Sequence, residues 1–362
     1  MVGTGHREPA LERGRPPFLE ANAASPGEAR IAPLLEVRGL SIHFRTGGGE
    51  LQVTNDVSFQ LQPGERVGVV GESGCGKTVT GLSLLGLLPK PPRSRVTGQI
   101  LFEGVDLLKL SPREMRKIRG RSISMIFQEP MSALDPVFTI GQQIGETIRA
   151  HFKVSAREAR QRSIEALASV GIPLPDKRVD EYPHQLSGGM RQRAMIAVAL
   201  ACEPKLLVAD EPTTALDVTV QAQIIDLLRS LAERAGTALL FITHDLGVVA
   251  ETCERMLTMY AGQIVEDGTT DAVLERPLHP YSSGLLRSIP RLSERKSVLP
   301  SIPGRVPSPA EMPPGCRFAP RCAYRLPVCD APQAIDDVAG HRVRCVRHAD
   351  LVLPGATEAL AT

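Results

Sequence analysis

Gly71-Glu72-Ser73-Gly74-Cys75-Gly76-Lys77-Thr78 fits the pattern G-x-x-x-x-G-K-[ST], and its flanks decide the fold. The apolar run from Arg66 to Val70 reads as a short strand, and a helix is expected from about Lys77 to Leu88. In such a strand–loop–helix the glycines let backbone N–H groups converge on phosphate oxygens, and the helix N-terminus adds partial positive charge. Lys77 is placed to reach the β- and γ-phosphates of a nucleotide, and the Thr78 hydroxyl to hold Mg²⁺. A glycine-rich turn alone would carry little; the strand before it and the helix after it make the motif specific.

Working outward, Leu206-Leu207-Val208-Ala209-Asp210-Glu211 is an apolar strand ending in two acids. Beside a phosphate loop, such a strand delivers Asp210 to the metal and Glu211 to the attacking water as general base. A helix is expected from Val218 to Ala235 and a strand over Ala238 to Thr243. Strands alternating with helices imply a parallel sheet with helices on both faces. Leu34 to Leu61 reads as half-buried antiparallel strands (Leu35–Val37, Ile42–Phe44, Val57–Leu61) broken at Gly47-Gly48-Gly49. Ser111 to about Gly171 is patterned as largely helical, punctuated by Pro130 and Pro136, and a further helix runs from near Ser187 to Ala201.

That last helix opens with Leu186-Ser187-Gly188-Gly189-Met190-Arg191-Gln192-Arg193, which resembles the signature sequence of ABC-type ATPases. Ser187 and the backbone at Gly188 and Gly189 suit a helix start aimed at an anion. A plain Ser N-cap would explain Ser187 alone. It would not explain three further motifs in family order: Gln128 in Ile126-Phe127-Gln128-Glu129-Pro130, Asp217 in Ala215-Leu216-Asp217, and His244 in Ile242-Thr243-His244-Asp245.

The resemblance covers roughly Leu34 to Glu266. It implies that the Ser187 segment grips the γ-phosphate of the nucleotide held by a second subunit, and that Asp217 lies at the dimer seam. It also implies that Gln128 senses Mg²⁺ and the attacking water and couples to the membrane partner, that His244 contacts the γ-phosphate, and that Phe44 stacks on adenine. After Gln128 the chain reads Glu129-Pro130-Met131-Ser132-Ala133-Leu134-Asp135-Pro136, where relatives often carry Asp, then Ser-Leu-Asn-Pro; the departure bears on the coupling surface. Cys75 sits within the phosphate loop near a helix N-terminus, a setting that favours thiolate, so a thiol alkylator is expected to inhibit and ATP to protect.

Composition sets the outer limits. The 362 residues are long enough for two domains or one large domain with an appendage. Lys and Arg total 42 against 40 Asp and Glu, a net charge of +2 that does not point to a nucleic-acid partner. Apolar runs such as Ala238 to Ile242 have strand length, far short of the ~20 residues of a membrane span. The first 32 residues mix Pro, Gly, Arg and Glu without periodicity or a signal-peptide core, and are expected to be a disordered tail.

Beyond the ATPase-like stretch, His279-Pro280-Tyr281-Ser282-Ser283-Gly284-Leu285-Leu286, Ile302-Pro303-Gly304 and Pro314-Gly315-Cys316-Arg317-Phe318-Ala319-Pro320-Arg321-Cys322 resemble the C-terminal extension of dipeptide/oligopeptide importer ATPases. Cys316, Cys322, Cys329 and Cys345 follow the spacing C-x₅-C-x₆-C-x₁₅-C. Four thiolates suit a [4Fe–4S] cluster or Zn²⁺, and the tight C-x₂₋₄-C pairs of zinc knuckles are absent, which favours iron–sulfur. Some importers of this type carry such a cluster, and the excess of Arg and Lys between Arg287 and Arg347 would offset its negative charge. Four unliganded thiols are the remaining alternative.

The expected fold is α/β: a P-loop, RecA-like core with an antiparallel β subdomain, a helical subdomain and a small irregular C-terminal extension. The expected boundaries are an N-terminal tail over 1–32, an ABC ATPase domain over 33–287, a Cys-rich extension over 288–350 and a tail over 351–362. The expected function is the energy-coupling ATPase of an importer for dipeptides and oligopeptides. It would be peripheral on the cytoplasmic face of the membrane and use ATP and Mg²⁺. Its partners would be a second ATPase subunit, identical or paralogous, two transmembrane permeases and, indirectly, an extracellular binding protein. Import of nickel or another small solute, a soluble ABC ATPase of DNA repair or translation, an exporter, and a redox-sensing ATPase are the alternatives. Solute choice belongs to the permeases and the binding protein.

Overall fold

A computed structural model describes residues 32–129, 133–214, 217–288 and 301–356. The expected N-terminal tail up to residue 31, the Pro130-Met131-Ser132 part of the coupling segment, Ala215-Leu216, residues 289–300 of the expected extension and the last six residues lie outside the described residues.

The chain opens with β1 (Leu35–Thr46) and β2 (Gly49–Leu61), an antiparallel hairpin whose two-residue turn is Gly47-Gly48. The three expected short strands are therefore two long ones. Leu35, Val37, Leu40 and Ile42 of β1 are buried, as a one-sided sheet requires. β4 (Ser94–Phe102) and β5 (Val105–Asp106) complete a four-stranded sheet in the order β2-β1-β4-β5.

The central sheet is built on β3 (Arg66–Val70), with β6 (Ile123–Ile126), β7 (Leu206–Asp210), β8 (Ala238–Ile242) and β9 (Arg255–Tyr260) parallel around it in the order β9-β3-β8-β7-β6. β6 falls where the sequence pattern suggested helix. Its four residues are all buried, and so short an apolar run has no period to distinguish strand from helix. Side chains alternate between two cores across this sheet. Leu206, Val208, Leu240 and Ile242 face a layer formed by the four-stranded sheet with α1 (Lys77–Leu84) and α2 (Pro112–Ile118), while Leu207, Ala209 and Phe241 face the helical layer. α1 ends four residues before the expected Leu88. Gly86 turns left-handed (φ 59°) and the Leu87 N–H returns to the Leu82 carbonyl at 3.0 Å.

The helical layer contains α3 (Ile140–His151), α4 (Ala156–Ser169), the single turn α5 (Pro175–Arg178), α6 (Gly188–Leu200) and α7 (Val218–Ala235). α8 (Leu246–Thr252) precedes β9, and β10 (Gln263–Thr269), α9 (Thr270–Glu275) and α10 (Pro280–Arg287) follow it.

The Cys-rich extension is mostly turns, but β11 (Asp336–Val338) and β12 (His341–Val343) add two antiparallel strands to β10, making the central sheet eight-stranded. Two buried carboxylates of β10 fasten it. Glu266 accepts from the N–H groups of Leu278 and His279 at 2.6 and 3.0 Å and pairs with His341 Nε2 at 2.8 Å. Asp267 holds Arg255 through two bonds of 2.6 and 2.8 Å and Arg342 at 3.3 Å. Tyr260 of β9, Tyr281 of α10 and Phe318 of the extension form one aromatic cluster, with centroids 4.6 to 5.4 Å apart. The extension is thus packed onto the central sheet along β9 and β10.

Candidate functional site

The phosphate loop leaves the end of β3 and closes onto the start of α1, as its pattern predicts. Gly71 (φ 151°) is crowded by backbone: a Cβ there would lie 2.1 Å from the Met259 carbonyl oxygen. Gly76 is the left-handed residue (φ 103°) that turns the chain into α1. Lys77 is 5% exposed, and its ammonium donates to the carbonyls of Gly71 at 2.7 Å and Glu72 at 3.1 Å. It therefore rests within the loop's own cradle, while Ser73, Gly74 and Thr78 open to solvent.

β7 brings Asp210 against this loop. The Thr78 hydroxyl donates to Asp210 Oδ1 at 3.1 Å, joining residues 132 positions apart. Burial pushes the Asp210 carboxyl up to about 6, opposed by the Thr78 bond and reinforced by the neighbouring Glu211 charge. A hard cation here would meet one buried carboxylate and one hydroxyl, an oxygen pair of the kind Mg²⁺ takes.

Glu211 is the hub. It has a left-handed backbone (φ 44°), uncommon for a non-glycine residue, and its N–H donates to the Ile242 carbonyl of β8 at 2.8 Å. Its carboxylate accepts from Gln128 Nε2 at 3.2 Å and from the Thr214 hydroxyl at 3.0 Å, both at Oε2, and meets His244 Nδ1 at 3.4 Å through Oε1. Gln128, Glu211 and His244, singled out from three separate motifs, thus converge on one carboxylate. His244 is 65% exposed, so the cluster faces outward.

Ser187 caps α6 by accepting from the Met190 N–H at 3.3 Å, and both Ser187 and Gly188 lie on the surface. A Cβ on Gly188 would have no neighbour within 4 Å, so the helix start is open to an approaching group. The buried Gln192 of α6 donates to the Pro212 carbonyl, which ties this helix to the segment after Glu211. Asp217 caps α7, accepting from Val220 N–H at 2.9 Å. Phe44 is half-buried near the end of β1 against the core of the four-stranded sheet.

Cys75 departs from expectation. It is 0% exposed, and burial pushes its thiol above the ordinary range despite the nearby Lys77 ammonium. Desolvation of a thiolate outweighs the helix N-terminus, so Cys75 is a protonated core thiol rather than an activated one.

Cys316, Cys322, Cys329 and Cys345 line one small pocket with His279 and Phe318. Burial raises the thiols of Cys316, Cys322 and Cys345, the last to about 11, and the neighbouring cysteines push Cys345 further in the same direction. Among the described residues, no group of three or more His, Cys, Asp or Glu is gathered closely enough to hold a metal ion.

Three residues of this region were given no role by the sequence reading, although Tyr281 and Arg321 lie within its quoted motifs: Thr214, Tyr281 and Arg321. Tyr281 Oη accepts from the Glu72 N–H at 2.8 Å, and Arg321 grips the Glu72 carboxylate at 2.6 and 3.0 Å. Thr214 lies three residues from Glu211 and carried a local signal; the other two reach the loop only through tertiary packing.

The chain matches known proteins over most of its length. Residues 54–214 match the ABC transporter family, and residues 265–329 match the oligopeptide/dipeptide transporter C-terminal region. A peptide import ATP-binding protein of Brucella abortus is 52% identical over 317 residues, which is 87% of this chain and 95% of that one. The oligopeptide transport ATP-binding protein OppD of Bacillus subtilis is 51% identical over 300 residues, 83% of this chain and 84% of that one. Among solved structures, a dimeric ATP-binding cassette in a post-hydrolysis state with ADP and phosphate superposes with a TM-score of 0.58 at 29% identity, covering 65% of this chain and 98% of that one. A Clostridium perfringens cassette that is part of an ABC transporter complex superposes with a TM-score of 0.56 at 27% identity, covering 67% of this chain and 90% of that one.

Proposed function

Because this chain belongs to the ABC transporter ATPase family, in its oligopeptide/dipeptide branch, we propose that it is the ATP-hydrolysing, energy-coupling subunit of an importer for dipeptides and oligopeptides. The observation that carries the chemistry is the convergence of Gln128, Thr214 and His244 on the Glu211 carboxylate, next to Asp210 and the phosphate loop.

Glu211 acts as general base, taking a proton from the attacking water as the bond to the γ-phosphoryl group breaks and ADP and phosphate are released. Gln128 and Thr214 orient Glu211, and His244, beside it, is assigned to the γ-phosphate. Thr78, Asp210 and Gln128 are the residues that would hold Mg²⁺, which when bound neutralises charge on the phosphate oxygens. Gly71 to Thr78 cradle the phosphates, Lys77 exchanging its loop carbonyls for phosphate oxygens, and Phe44 is assigned to the adenine.

The exposed start of α6 supports a two-subunit site. Ser187, Gly188 and Gly189 present helix-start donors outward, which suits the γ-phosphate of a nucleotide on a second ATPase subunit, identical or paralogous. Among the described residues no helix is long and apolar enough to cross a membrane, and two separate permeases are the proposed membrane path. The domain boundaries at 32, 287 and 350 and a peripheral position on the cytoplasmic face belong to the same proposal. Closure on ATP and reopening after hydrolysis would drive the permeases between access states.

For the extension we propose a [4Fe–4S] cluster. Four cysteines that line one small pocket support this reading, and the absence of tight C-x₂₋₄-C pairs in the sequence favours it over zinc. Iron and acid-labile sulfide should accompany an anaerobic preparation; a colourless, iron-free one sinks the cluster.

The ATPase rate of the chain co-purified with its membrane subunits, with and without peptide-loaded binding protein, tests the transport function. Strong stimulation by peptides, lost in Glu211→Gln, is expected. Permeases that co-purify without peptide stimulation would move the solute to another class.

A further inference from the structure

Glu72 is the second residue of the phosphate loop, and the extension holds it by its side chain. Arg321 Nη1 donates to Glu72 Oε2 at 2.6 Å and Arg321 Nη2 to Glu72 Oε1 at 3.0 Å, a bidentate fork across 249 residues of chain. The remaining guanidinium donors are also used: Nε to the Pro303 carbonyl at 2.9 Å, Nη2 to the Ile302 carbonyl at 3.2 Å, and Nη1 to Tyr260 Oη at 3.5 Å. The guanidinium lies 5.8 Å from the centre of the Tyr260 ring, and the Arg321 side chain is 4% exposed. A fully satisfied, buried fork of this kind has one geometry, which it imposes on its partner.

The rest of Glu72 is held as well. Its N–H donates to Tyr281 Oη at 2.8 Å, and its carbonyl accepts the Lys77 ammonium at 3.1 Å. Glu72 therefore connects the extension to the lysine of the phosphate loop. Its charge matters separately. A carboxylate on an anion-binding loop opposes a triphosphate, and Arg321 cancels it at contact distance.

We propose that Arg321 is a positioning residue for nucleotide binding. It holds and neutralises Glu72, and through this contact the Cys-rich extension sets the ATP affinity of the phosphate loop. The path into the extension is short. Arg321 adjoins Cys322 and closes the turn Ala319–Arg321, whose N–H groups return to Cys316 at 3.0 Å and Phe318 at 2.9 Å. This inference rests on the loop being the ATP site, as proposed above.

The test is calorimetric titration of the full chain with ATP and Mg²⁺, paired with steady-state ATPase kinetics, for wild type, Arg321→Gln, Glu72→Gln and the double variant. Arg321→Gln should weaken ATP binding by about tenfold, with the loss falling on KM rather than kcat and narrowing at high salt. The double variant should regain most of the lost affinity, because the uncompensated carboxylate is gone. A merely structural Arg321 predicts the opposite: a double variant at least as weak as the single one, with salt-independent losses. That outcome, or unchanged affinity in a folded Arg321→Gln while wild type binds ATP, overturns the inference and leaves the ATP site standing. Wild type that binds no ATP overturns both. Thermal unfolding of each variant separates lost affinity from lost fold.

Discussion

Gln128 Nε2 donates to Glu211 Oε2 at 3.2 Å, joining the segment after β6 to the end of β7 across 83 residues of chain. The two strands are parallel neighbours, with Ile126 opposite Ala209. Two motifs distant in sequence therefore end side by side. Any shift of the segment after β6 moves a hydrogen bond on the Glu211 carboxylate, the proposed general base.

Glu211→Gln should keep nucleotide binding and lose hydrolysis by about 10²- to 10⁴-fold, because the amide cannot accept the proton of water. Single-turnover phosphate release beside an ATP-binding isotherm separates the two effects. Rapid turnover by the variant would remove Glu211 from the role of base.

Thr214 shares Glu211 Oε2 with Gln128. Thr214→Val should lower kcat about three- to tenfold with little change in ATP affinity, since one of two hydrogen bonds to a charged group is lost. Thr214→Ser, which restores the hydroxyl, should recover most of the rate. A serine variant as slow as the valine one would show that packing, not the hydroxyl, matters there.

Cys75 should stay unmodified when the native chain meets iodoacetamide, and should label fully once the chain is unfolded. Its sulfur is buried beneath the loop and its thiol is held protonated by desolvation. Peptide mass spectrometry of the two samples reads this directly. Rapid labelling of native Cys75, blocked by ATP, would restore the activated thiol expected from the motif alone.

His279 couples the fold to pH. Burial lowers its imidazole from the ordinary 6.5 to about 3, and its Nδ1 accepts the Tyr281 N–H at 3.0 Å, capping α10. Between these values the unfolded chain binds a proton that the folded chain refuses. The stabilising contribution is therefore complete above about 6.5 and is lost as pH falls through the window toward 3. Urea unfolding at several pH values should show that slope. His279→Asn, which keeps a cap acceptor without titrating, should flatten it; an unchanged slope would place the acid sensitivity elsewhere.

The sequence alone determined the parts of this protein whose chemistry is local. The phosphate loop, the acid pair after an apolar strand and the Ser187 cap are each set by neighbouring residues: glycines that permit a backbone turn, a side chain that satisfies a helix-start N–H. These motifs in order, with the cysteine-bearing extension, were enough to place the family. Tertiary structure decided the contacts that depend on sheet register and layer packing. Glu211 collects Gln128, Thr214 and His244 because β6, β7 and β8 lie side by side, and β6 itself was invisible because four buried residues have no period. The extension reaches the phosphate loop because β12 pairs with β10 and Phe318 packs on Tyr260 and Tyr281, which brings Arg321 to Glu72. Cys75 makes the same point. Its motif suggested an activated thiol, and only the packing of the whole core removed the water that a thiolate requires.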